Sequence, residues 1–491
     1  MREDDTITAA FLDFGSHTIK AALADCKADG TFTIRQQSTV ESEGQIRRGI
    51  IYNLKEVATK VDELLRQLSQ LAGCPIDRVY AGVNGQSLHS DMHEAELTLG
   101  KLREITEEDM NTLRRQTADE DFDSRYISIA DDVTPAYYVD GSWTNNPVGV
   151  QGSNLKVSYQ QLLAREELDR NIRRVLEEKL ARETEYLIPA TIMSDLFLTT
   201  EQKRFGCALI DFGAECTTVS VYNRGQMVGL RVIPLGGDAI TTDLTDMHIS
   251  LMEAERIKTK NGSTLPASEE EAKGEVVVQT ANGMTSKSLP LREVNRYIRA
   301  RSSEIVRNIS TYINTLLPEH SLSGIVITGG ASRMTGLRDL LTKEFNVKVD
   351  YAASILGRYG RENSYYIENA EWHSVYSMVY YVAQDLAATH VRPEPSAQKQ
   401  APTAPTEQPV TRTSEQTTST GSDYPEDQLP DDAFAGTTQT LINVEEIETK
   451  AQEPPKKVTR GSGTKHRNKG NGFFSKLFSG GLIFPEDDVD E

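Results

Sequence analysis

One short motif occurs twice in this 491-residue chain, and this repeat constrains the fold more than any other feature. Residues 10–23 read A-F-L-D-F-G-S-H-T-I-K-A-A-L, and residues 208–222 read A-L-I-D-F-G-A-E-C-T-T-V-S-V-Y. Each copy has an apolar run, an Asp-Phe-Gly turn and a second run of β-branched and small residues, which predicts a β-hairpin. An internal repeat indicates a duplicated structural unit. Since the chain is also long enough to bury two cores, we expect two related lobes.

The two turns carry residue types that suit phosphate binding. Asp13 and Asp211 each end an apolar strand, where a charge must be compensated. A Mg²⁺ ion reached through water is a natural compensator. Gly15 and Gly213 allow the amides of the turns to approach phosphate oxygens. Two such hairpins, facing each other from two lobes, would hold a triphosphate between them.

An Asp-Phe-Gly motif also has two other interpretations. A single copy occurs by chance in ordinary turns, and protein kinases carry one copy that binds Mg²⁺. The repeat argues against chance. The chain has no H-R-D catalytic loop and no G-x-G-x-x-G segment followed by V-A-I-K, so we reject the protein-kinase interpretation.

Residues 324–334, G-I-V-I-T-G-G-A-S-R-M, form a third candidate nucleotide element. A strand followed by a Gly-Gly loop and a helix is weak evidence alone, but its place after the two hairpins strengthens it. Amphipathic helices are expected at residues 57–71, 162–180, 294–316 and 337–345. Their alternation with strand-like runs predicts an α/β architecture.

Charge and cysteine content exclude several classes of function. The formal net charge is −20 with a pI near 5, whereas nucleic-acid binding needs a basic face, so no nucleic-acid partner is expected. The cysteines form no C-x-x-C or Cys/His cluster, which argues against a zinc site or disulfide framework and favours a reducing compartment. No signal-peptide pattern or membrane-spanning apolar stretch is recognised, so any membrane contact is expected to be peripheral.

The order of first hairpin, second hairpin and Gly-Gly loop resembles the actin-like ATPase superfamily, and residues 8–388 resemble the FtsA family of bacterial cell-division proteins in detail. V-Y-A-G-V-N-G-Q-S-L (79–88) is similar to the strand that leads into that family's inserted domain. N-P-V-G-V-Q-G-S-N-L-K-V (146–157) is similar to the end of the insertion. V-I-P-L-G-G-D-A-I-T-T-D-L (232–244) and M-E-A-E-R-I-K (252–258) resemble the entry into the small subdomain.

This resemblance implies a duplicated actin/Hsp70/sugar-kinase (ribonuclease H-like) α/β fold, with two lobes around a nucleotide cleft. The first lobe would comprise residues 1–83 and 163–204, with an inserted FtsA-type subdomain at 84–162. The second lobe would comprise its core at 205–240, a small subdomain at 241–310, and the adenosine motif with the return to the first lobe at 311–392. A disordered linker at 393–472, a membrane-targeting segment at 473–484 and an acidic tail at 485–491 would follow.

The resemblance also implies that ATP and Mg²⁺ bind between the lobes, with Asp13 and Asp211 holding the Mg²⁺ through water. The first phosphate site would contain Asp13, Gly15, Ser16, His17 and Lys20, and the second would contain Asp211, Gly213 and Thr217. Gly236 and Gly237 would approach the sugar-phosphate, Glu255 and Lys258 the ribose and adenine, and Gly329, Gly330 and Met334 the adenosine. Glu255 and Lys258 also fit an ordinary exposed helical pair, and Met334 also fits a core residue.

The second phosphate motif departs from the family pattern D-x-G-x-G-T, because Glu215 stands at its second glycine and Cys216 at its threonine. A carboxylate about 4 Å from a phosphate would cost roughly 4 kcal/mol at an effective dielectric near 20, or about a thousandfold in affinity. Either Glu215 turns away, or it joins the magnesium shell, or nucleotide binding is weakened. We expect ATP to be a structural ligand, and the protein to be at most a slow ATPase.

The end of the chain has a different composition. Residues 393–472 are rich in Pro, Thr, Ser, Gln and Glu and are predicted to be disordered. In the segment that follows, Phe473, Phe474, Leu477 and Phe478 share one helical face and Lys476 lies opposite, which predicts a short amphipathic helix on an anionic membrane surface. A chance aromatic cluster or a protein-docking peptide is the alternative.

The function implied by the resemblance is a cell-division adaptor. It would polymerise and hold the tubulin-like protein FtsZ to the cytoplasmic side of the inner membrane at the division septum. The C-terminal peptide of FtsZ would dock around residues 294–309, where Arg299 and Arg301 would meet its acidic residues. The alternatives are an ATP-hydrolysing enzyme of the same superfold, such as a sugar kinase or chaperone-type ATPase, and an actin-like pilus-assembly adaptor.

Overall fold

The structure, a computed structural model, describes residues 6–391 except 77, 119–124, 132–134, 145, 181, 267, 270–272, 281–284, 318–320 and 353–368. The predicted linker, membrane-targeting segment and acidic tail lie outside the described residues, and so do Phe473, Phe474, Lys476, Leu477 and Phe478.

The strands are named here in chain order. They are β1 (Thr6–Phe14), β2 (Thr18–Lys27), β3 (Phe32–Glu41), β4 (Ile46–Arg47), β5 (Ile50–Ile51), β6 (Arg78–Gly82), β7 (His89–Glu104), β8 (Ile127–Asp131), β9 (Ala136–Val139), β10 (Ser142–Thr144), β11 (Gln151–Ala164), β12 (Glu183–Leu187), β13 (Cys207–Phe212), β14 (Thr217–Asn223), β15 (Gln226–Ile233), β16 (Glu275–Gln279), β17 (Ser286–Pro290), β18 (Gly324–Thr328) and β19 (Lys348–Tyr351).

The helices are named in the same way. They are α1 (Leu54–Ala72), α2 (Glu107–Ala118), α3 (Glu166–Arg173), α4 (Pro189–Phe197), α5 (Thr200–Phe205), α6 (Gly237–Thr245), α7 (Leu251–Asn261), α8 (Leu291–Leu316), α9 (Leu337–Phe345) and α10 (His373–Val391). None of the helices in the described part of the chain is both long enough and apolar enough to cross a bilayer.

The two lobes repeat one sheet topology. The first-lobe sheet has the order β3-β2-β1-β6-β12, and the corresponding part of the second-lobe sheet has the order β15-β14-β13-β18-β19. In each lobe the first three strands are antiparallel and the last two run parallel to the central strand or its neighbour. The predicted hairpins are β1/β2 and β13/β14, so the prediction of a duplicated unit with two hairpins is confirmed.

The inserted segment leaves the first lobe after β6 but extends the sheet of the second lobe. Its strands β7 to β11 form an antiparallel sheet that packs on α2 around a separate apolar core. The start of β7 pairs with β15, where Arg231 lies opposite His89. The amide of Leu230 also donates to the Ser90 hydroxyl, at 2.8 Å. The insertion therefore contacts the second lobe directly, through a shared sheet.

The small subdomain of the second lobe has a core of its own. Helices α6 and α7, the β16/β17 hairpin and the N-terminal part of α8 enclose it. Its buried apolar side chains are Ile240, Leu244, Ile249, Ala254, Ile257, Val276, Val278, Val294 and Ile298. This subdomain forms one wall of the cleft described below.

One predicted helix is partly wrong. Residues 162–164 belong to β11 because Leu162 and Leu163 pair with β7, and the helix α3 begins only at Glu166. A π-helical segment, Arg174–Lys179, then completes the predicted span. The other three predicted helices lie within α1, α8 and α9. At α1 the Asn53 side chain caps the N-terminus and Gly73, in the left-handed region, ends the helix.

Candidate functional site

A cavity of about 610 Å³ lies between the two hairpin turns. This volume is within the range of pockets for small molecules and cofactors. The walls come from both lobes and from the small subdomain. Of the residues predicted from sequence, those that line the cavity are Asp13, Gly15, Ser16, His17, Lys20, Asp211, Gly213, Gly237, Glu255, Lys258, Gly329, Gly330 and Met334. The structure therefore brings together side chains that are more than 300 residues apart in the chain.

Both turns are tight enough to require glycine. A Cβ atom on Gly15 would lie 2.6 Å from the Thr18 carbonyl oxygen, and one on Gly213 would lie 2.9 Å from the Cys216 carbonyl oxygen. The first turn is held from behind by Ser42, whose hydroxyl donates to the Gly15 carbonyl at 2.6 Å. Each glycine therefore allows its hairpin to turn tightly, and both glycines line the cavity.

The two predicted aspartates carry an uncompensated negative charge. Asp13 lies 3.8 Å from the Lys20 ammonium, whose charge also acts on Asp211. Burial, and secondly the charge of Asp13, raise the pKa of Asp211 to about 6, although the charge of Lys20 lowers it. Two carboxylates that face one ammonium leave a net negative site, which suits a cation together with phosphate oxygens.

The Gly-Gly loop after β18 closes on Asp211. Gly329 has φ +86°, and a Cβ atom there would lie 2.2 Å from the Asp211 carboxylate. Only glycine adopts this conformation freely and allows this approach. Met334 lines the cavity and also packs against the cores of the second lobe and the small subdomain. Its interpretation as a core residue is therefore confirmed, and its contact with adenosine stays a prediction.

The start of α6 rests on the second turn. The amide of Gly237 donates to the Gly213 carbonyl at 3.0 Å, and the amide of Asp238 donates to the Ala214 carbonyl at 2.8 Å. A Cβ atom on Gly236 would lie 2.4 Å from the Ala214 oxygen. Gly236 thus supports the turn from behind and does not line the cavity, whereas Gly237 does.

Lys258 is a buried component of the cavity wall. Its ammonium donates to the Thr241 hydroxyl at 2.8 Å and to the Gly237 carbonyl at 3.1 Å. It also forms an ion pair of 2.6 Å with Glu255, which in turn accepts from Thr241. Lys258 is only 6 % exposed. The interpretation of Glu255 and Lys258 as an ordinary exposed pair is therefore wrong for the lysine.

Thr217 faces away from the cavity. It is fully buried, and its hydroxyl donates to the Leu235 carbonyl at 2.8 Å. The adjacent Thr218 lines the cavity instead. The reason is the register of the hairpin: Thr218 pairs with Asp211 and Thr217 with Phe212. Directly paired residues share a face of the sheet, so Thr218 lies on the face of Asp211.

Several cavity residues were not predicted from sequence. They are Arg48, Gly49, Asn84, Gly85, Asp238, Arg333, Glu371 and Ser374, among others. The Asn84 Oδ1 atom and the Ser374 hydroxyl are buried without a hydrogen-bond partner within the described ranges. Unpartnered buried polar atoms beside a cavity are available to a ligand. The Arg-Arg-Gly sequence at 47–49 was a turn signal that could have indicated the first of these residues.

Glu215 turns across the cavity towards the first lobe. Its carboxylate accepts a hydrogen bond from the backbone N–H of Arg48, in the turn between β4 and β5. Cys216, beside it, has a thiol whose pKa is raised to about 12, first by burial and then by the charge of Glu215. The structure thus shows the Glu215 carboxylate bonded to the Arg48 amide, and the three possibilities raised by the sequence stay predictions about the nucleotide-bound protein.

Arg299 and Arg301 make hydrogen bonds within the second lobe. Arg299 donates from Nε to the Thr264 carbonyl, at 3.0 Å, and from Nη2 to the Leu265 carbonyl. Arg301 forms a two-pronged pair with Asp243, at 2.7 and 2.8 Å, and also donates to Glu304 at 2.6 Å. Both guanidinium groups hold elements of the second lobe together, so an external peptide would have to compete with these partners.

A family model described as "Cell division protein FtsA" matches residues 208–375. Proteins named "Cell division protein FtsA" are similar over most of the folded part. The one from Porphyromonas gingivalis is 28% identical over 345 residues, covering 68% of this chain and 70% of the relative. That from Bacillus subtilis is 27% identical over 334 residues, covering 67% and 74%. That from Escherichia coli K12 is 23% identical over 360 residues, covering 70% and 83%.

Among solved structures, a chain of a "PilM-PilN type IV pilus biogenesis complex" is similar in fold. The TM-score is 0.51 at 14% sequence identity, and the match covers 78% of this chain and 99% of that one. At this identity the likeness concerns the fold alone. Together with the repeated sheet order, it confirms the duplicated actin-like α/β fold predicted from the sequence.

Proposed function

This chain belongs to the FtsA family of cell-division proteins, and we propose that it is an ATP-binding, actin-like adaptor that tethers FtsZ filaments to the cytoplasmic membrane at the septum. The observation that carries the nucleotide part of this proposal is the cavity between two duplicated glycine turns, which is lined by Asp13 from the first lobe and Asp211 from the second. The family relationship supports the division part. Membrane attachment and self-assembly are proposed on the sequence alone.

The residues of the cavity fit Mg²⁺ and a triphosphate. Mg²⁺ usually keeps several waters and takes few protein ligands. The described residues hold no group of three or more His, Cys, Asp or Glu that could hold a metal ion. Asp13 and Asp211 would hold the hydrated ion, which would neutralise charge on the phosphates. The amides near Gly15 and Gly213 and the Lys20 ammonium would bind phosphate oxygens.

Binding of a fluorescent ATP analogue to the full chain, with and without Mg²⁺, tests the nucleotide proposal. We expect Asp13→Asn to weaken binding about tenfold or more, because it removes half of the charge that attracts the hydrated ion. Asp339→Asn is the matched control, since Asp339 is an exposed carboxylate on α9 outside the cavity. Absence of Mg²⁺-dependent binding in the unaltered protein would refute the proposal.

The proposed membrane attachment is tested by co-pelleting the full chain with anionic liposomes. Changing Phe473, Phe474 and Phe478 together to Ser should leave the protein in the supernatant, because each buried aromatic ring contributes about 1.5 to 3 kcal/mol. Phe434→Ser, in the predicted linker, is the control for loss of an aromatic residue outside the segment. Equal pelleting of the triple variant and the control would rule out this anchor.

We propose that the C-terminal peptide of FtsZ docks on the small subdomain, on the surface formed by α7 and β16. Since Arg299 and Arg301 already have internal partners, exposed apolar side chains are better anchors. Leu251, Met252 and Val277 are 61 %, 76 % and 66 % exposed, and Arg256 joins the two elements by donating to the Val277 carbonyl. Exposed apolar groups in a patch favour a peptide partner.

Recruitment of a labelled FtsZ C-terminal peptide to protein-coated liposomes tests this docking surface. The double change of Leu251 and Met252 to Ser should reduce recruitment at least about tenfold, because apolar anchors carry most of the energy of such contacts. Its folding should be unaffected, since both side chains are exposed. Leu71→Ser, at an exposed apolar residue of α1, is the control. Full recruitment by the double variant would place the peptide elsewhere.

A further inference from the structure

Glu215 links the two lobes at the rim of the cavity. It occupies the position where the family pattern has glycine, in the turn between β13 and β14. Its carboxylate accepts the backbone N–H of Arg48, which belongs to the first lobe. A hydrogen bond between a carboxylate and a backbone N–H is stronger than one between neutral groups. The glutamate therefore adds an interlobe contact that glycine could not form.

The first-lobe side of this contact is firmly anchored. The Arg48 carbonyl accepts a hydrogen bond from the backbone N–H of Gln86 at 2.8 Å, and the Arg48 guanidinium donates one to the Gln86 Oε1 atom at 3.2 Å. The amide of Gly49 donates to the Ser16 hydroxyl at 3.2 Å, which connects the turn at 47–49 to the first phosphate turn. Gly49 has φ +84°, and a Cβ atom there would lie 2.3 Å from the backbone carbonyl oxygen of Asn84.

A second hydrogen bond crosses between the same segments. Asn84 donates from Nδ2 to the Thr218 hydroxyl at 3.3 Å. The backbone of Asn84 lies close to Gly49 in the turn at 47–49, and Thr218 lies three residues after Glu215. Both contacts therefore join the same part of the first lobe to the second hairpin, and both flank the proposed phosphate site.

We propose that Glu215 is an interlobe latch, which holds the turn at 47–49 against the second hairpin before nucleotide enters and must release Arg48 when nucleotide is exchanged. The latch also directs the carboxylate towards an N–H donor, which partly compensates its negative charge beside the proposed phosphate site. The latch itself requires no ligand, whereas its effect on exchange rests on the proposed nucleotide function.

Hydrogen exchange at the Arg48 amide in the ligand-free full chain tests the latch directly. Glu215→Ala should speed exchange about tenfold or more, because the charged acceptor is lost. Glu215→Gln should retain much of the protection, since its amide oxygen is still an acceptor. Glu344→Gln, at an exposed residue of α9, should leave exchange unchanged. Glu215→Gly, which restores the family residue, repeats the test if the alanine variant fails to fold.

Stopped-flow kinetics with a fluorescent ATP analogue test the consequence. Glu215→Ala should raise both the association and the dissociation rate, each by about tenfold, because the rim opens more often. Unchanged Arg48 exchange in both Glu215→Ala and Glu215→Gly would overturn the latch, whatever the nucleotide result. If no variant binds ATP but Arg48 exchange responds as expected, the latch stands and the proposed nucleotide function fails. Faster hydrogen exchange at the Arg48 amide with unchanged rates of ATP association and dissociation would overturn the proposed effect of the latch on nucleotide exchange.

Discussion

Asp211 shows the cost of placing a carboxylate between two lobes. Its pKa is raised to about 6, mainly by burial and secondly by Asp13. A carboxyl group with a raised pKa in the folded protein binds its proton more tightly there than in the unfolded chain. The stabilisation from that proton is complete below the ordinary pKa of 3.8 and is lost as pH rises through about 6.

We expect Asp211→Asn to stabilise the ligand-free protein at pH 7.5, because the ionised carboxylate is removed. A shift of roughly two pKa units corresponds to about 3 kcal/mol as an upper estimate. The gain in stability should become small near pH 4, where the Asp211 carboxyl group of the folded protein is protonated and therefore as neutral as the asparagine. Urea unfolding in EDTA at the two pH values measures it. A pH-independent difference would show that this ionisation is not the cause.

Thr217 and Thr218 are adjacent, but substituting Thr217 should lower the stability of the protein and substituting Thr218 should lower its affinity for ATP. Thr217→Val removes the donor to the buried Leu235 carbonyl, so we expect a loss of about 1 to 3 kcal/mol in the free energy of unfolding, with ATP affinity unchanged. Thr218→Val should instead weaken ATP binding, since this residue lines the cavity. Unfolding and binding measured on both variants check the pair, and a reversed pattern would contradict the placement.

This pair also marks how far the sequence could predict the site. The repeated motif predicts the hairpin and the position of Asp211, because both depend on local pattern. It does not predict the register of β13 with β14, which decides the face on which each threonine lies. The turn at 47–49 was missed for a related reason: its contacts with Ser16, Asn84 and Glu215 are all tertiary.

At the scale of elements, an ion pair joins helix α8 to α6 in addition to the apolar core that the two helices share. Arg301 on α8 and Asp243 on α6 form two parallel hydrogen bonds, and both side chains are partly exposed. Such geometry favours arginine, because its planar guanidinium matches the carboxylate.

The partly wrong helix prediction at 162–180 also concerns a single element. Leu162 and Leu163 fit either a helix or a strand by sequence, and only their pairing with β7 makes them part of a strand.

A double-mutant cycle of Arg301→Ala and Asp243→Ala should give a coupling energy of about 1 kcal/mol, as expected for a partly exposed pair of good geometry. Chemical unfolding of the two single variants and the double variant measures it. Arg301→Lys should lose most of the coupling, since lysine cannot form both bonds. A coupling near zero would mean that Arg301 is energetically free of Asp243 and available to a partner.

At the scale of the whole molecule, the cavity depends on three parts of the chain at once. The first lobe provides Asp13 and Lys20, the second lobe provides the Gly213 and Gly329 turns, and the small subdomain provides Lys258. The duplicated sheets supply the two facing turns, as the repeat predicted. The connection of β7 to β15 was not predictable, because an insertion in the first lobe gives no local signal for pairing with the second.

Mg-ATP should therefore protect all three parts together. At a ligand concentration of about 100 times Kd, binding to the folded state alone stabilises it by about 2.7 kcal/mol. We expect slower hydrogen exchange in segments 13–18, 213–218, 237–258 and 329–334, and no change in the β16/β17 hairpin, which lies outside the cavity. Hydrogen-exchange mass spectrometry of the full chain measures this. Because a ligand held by one lobe would protect only that lobe, protection confined to a single part would contradict a site shared between the lobes, even if the affinity for ATP were high.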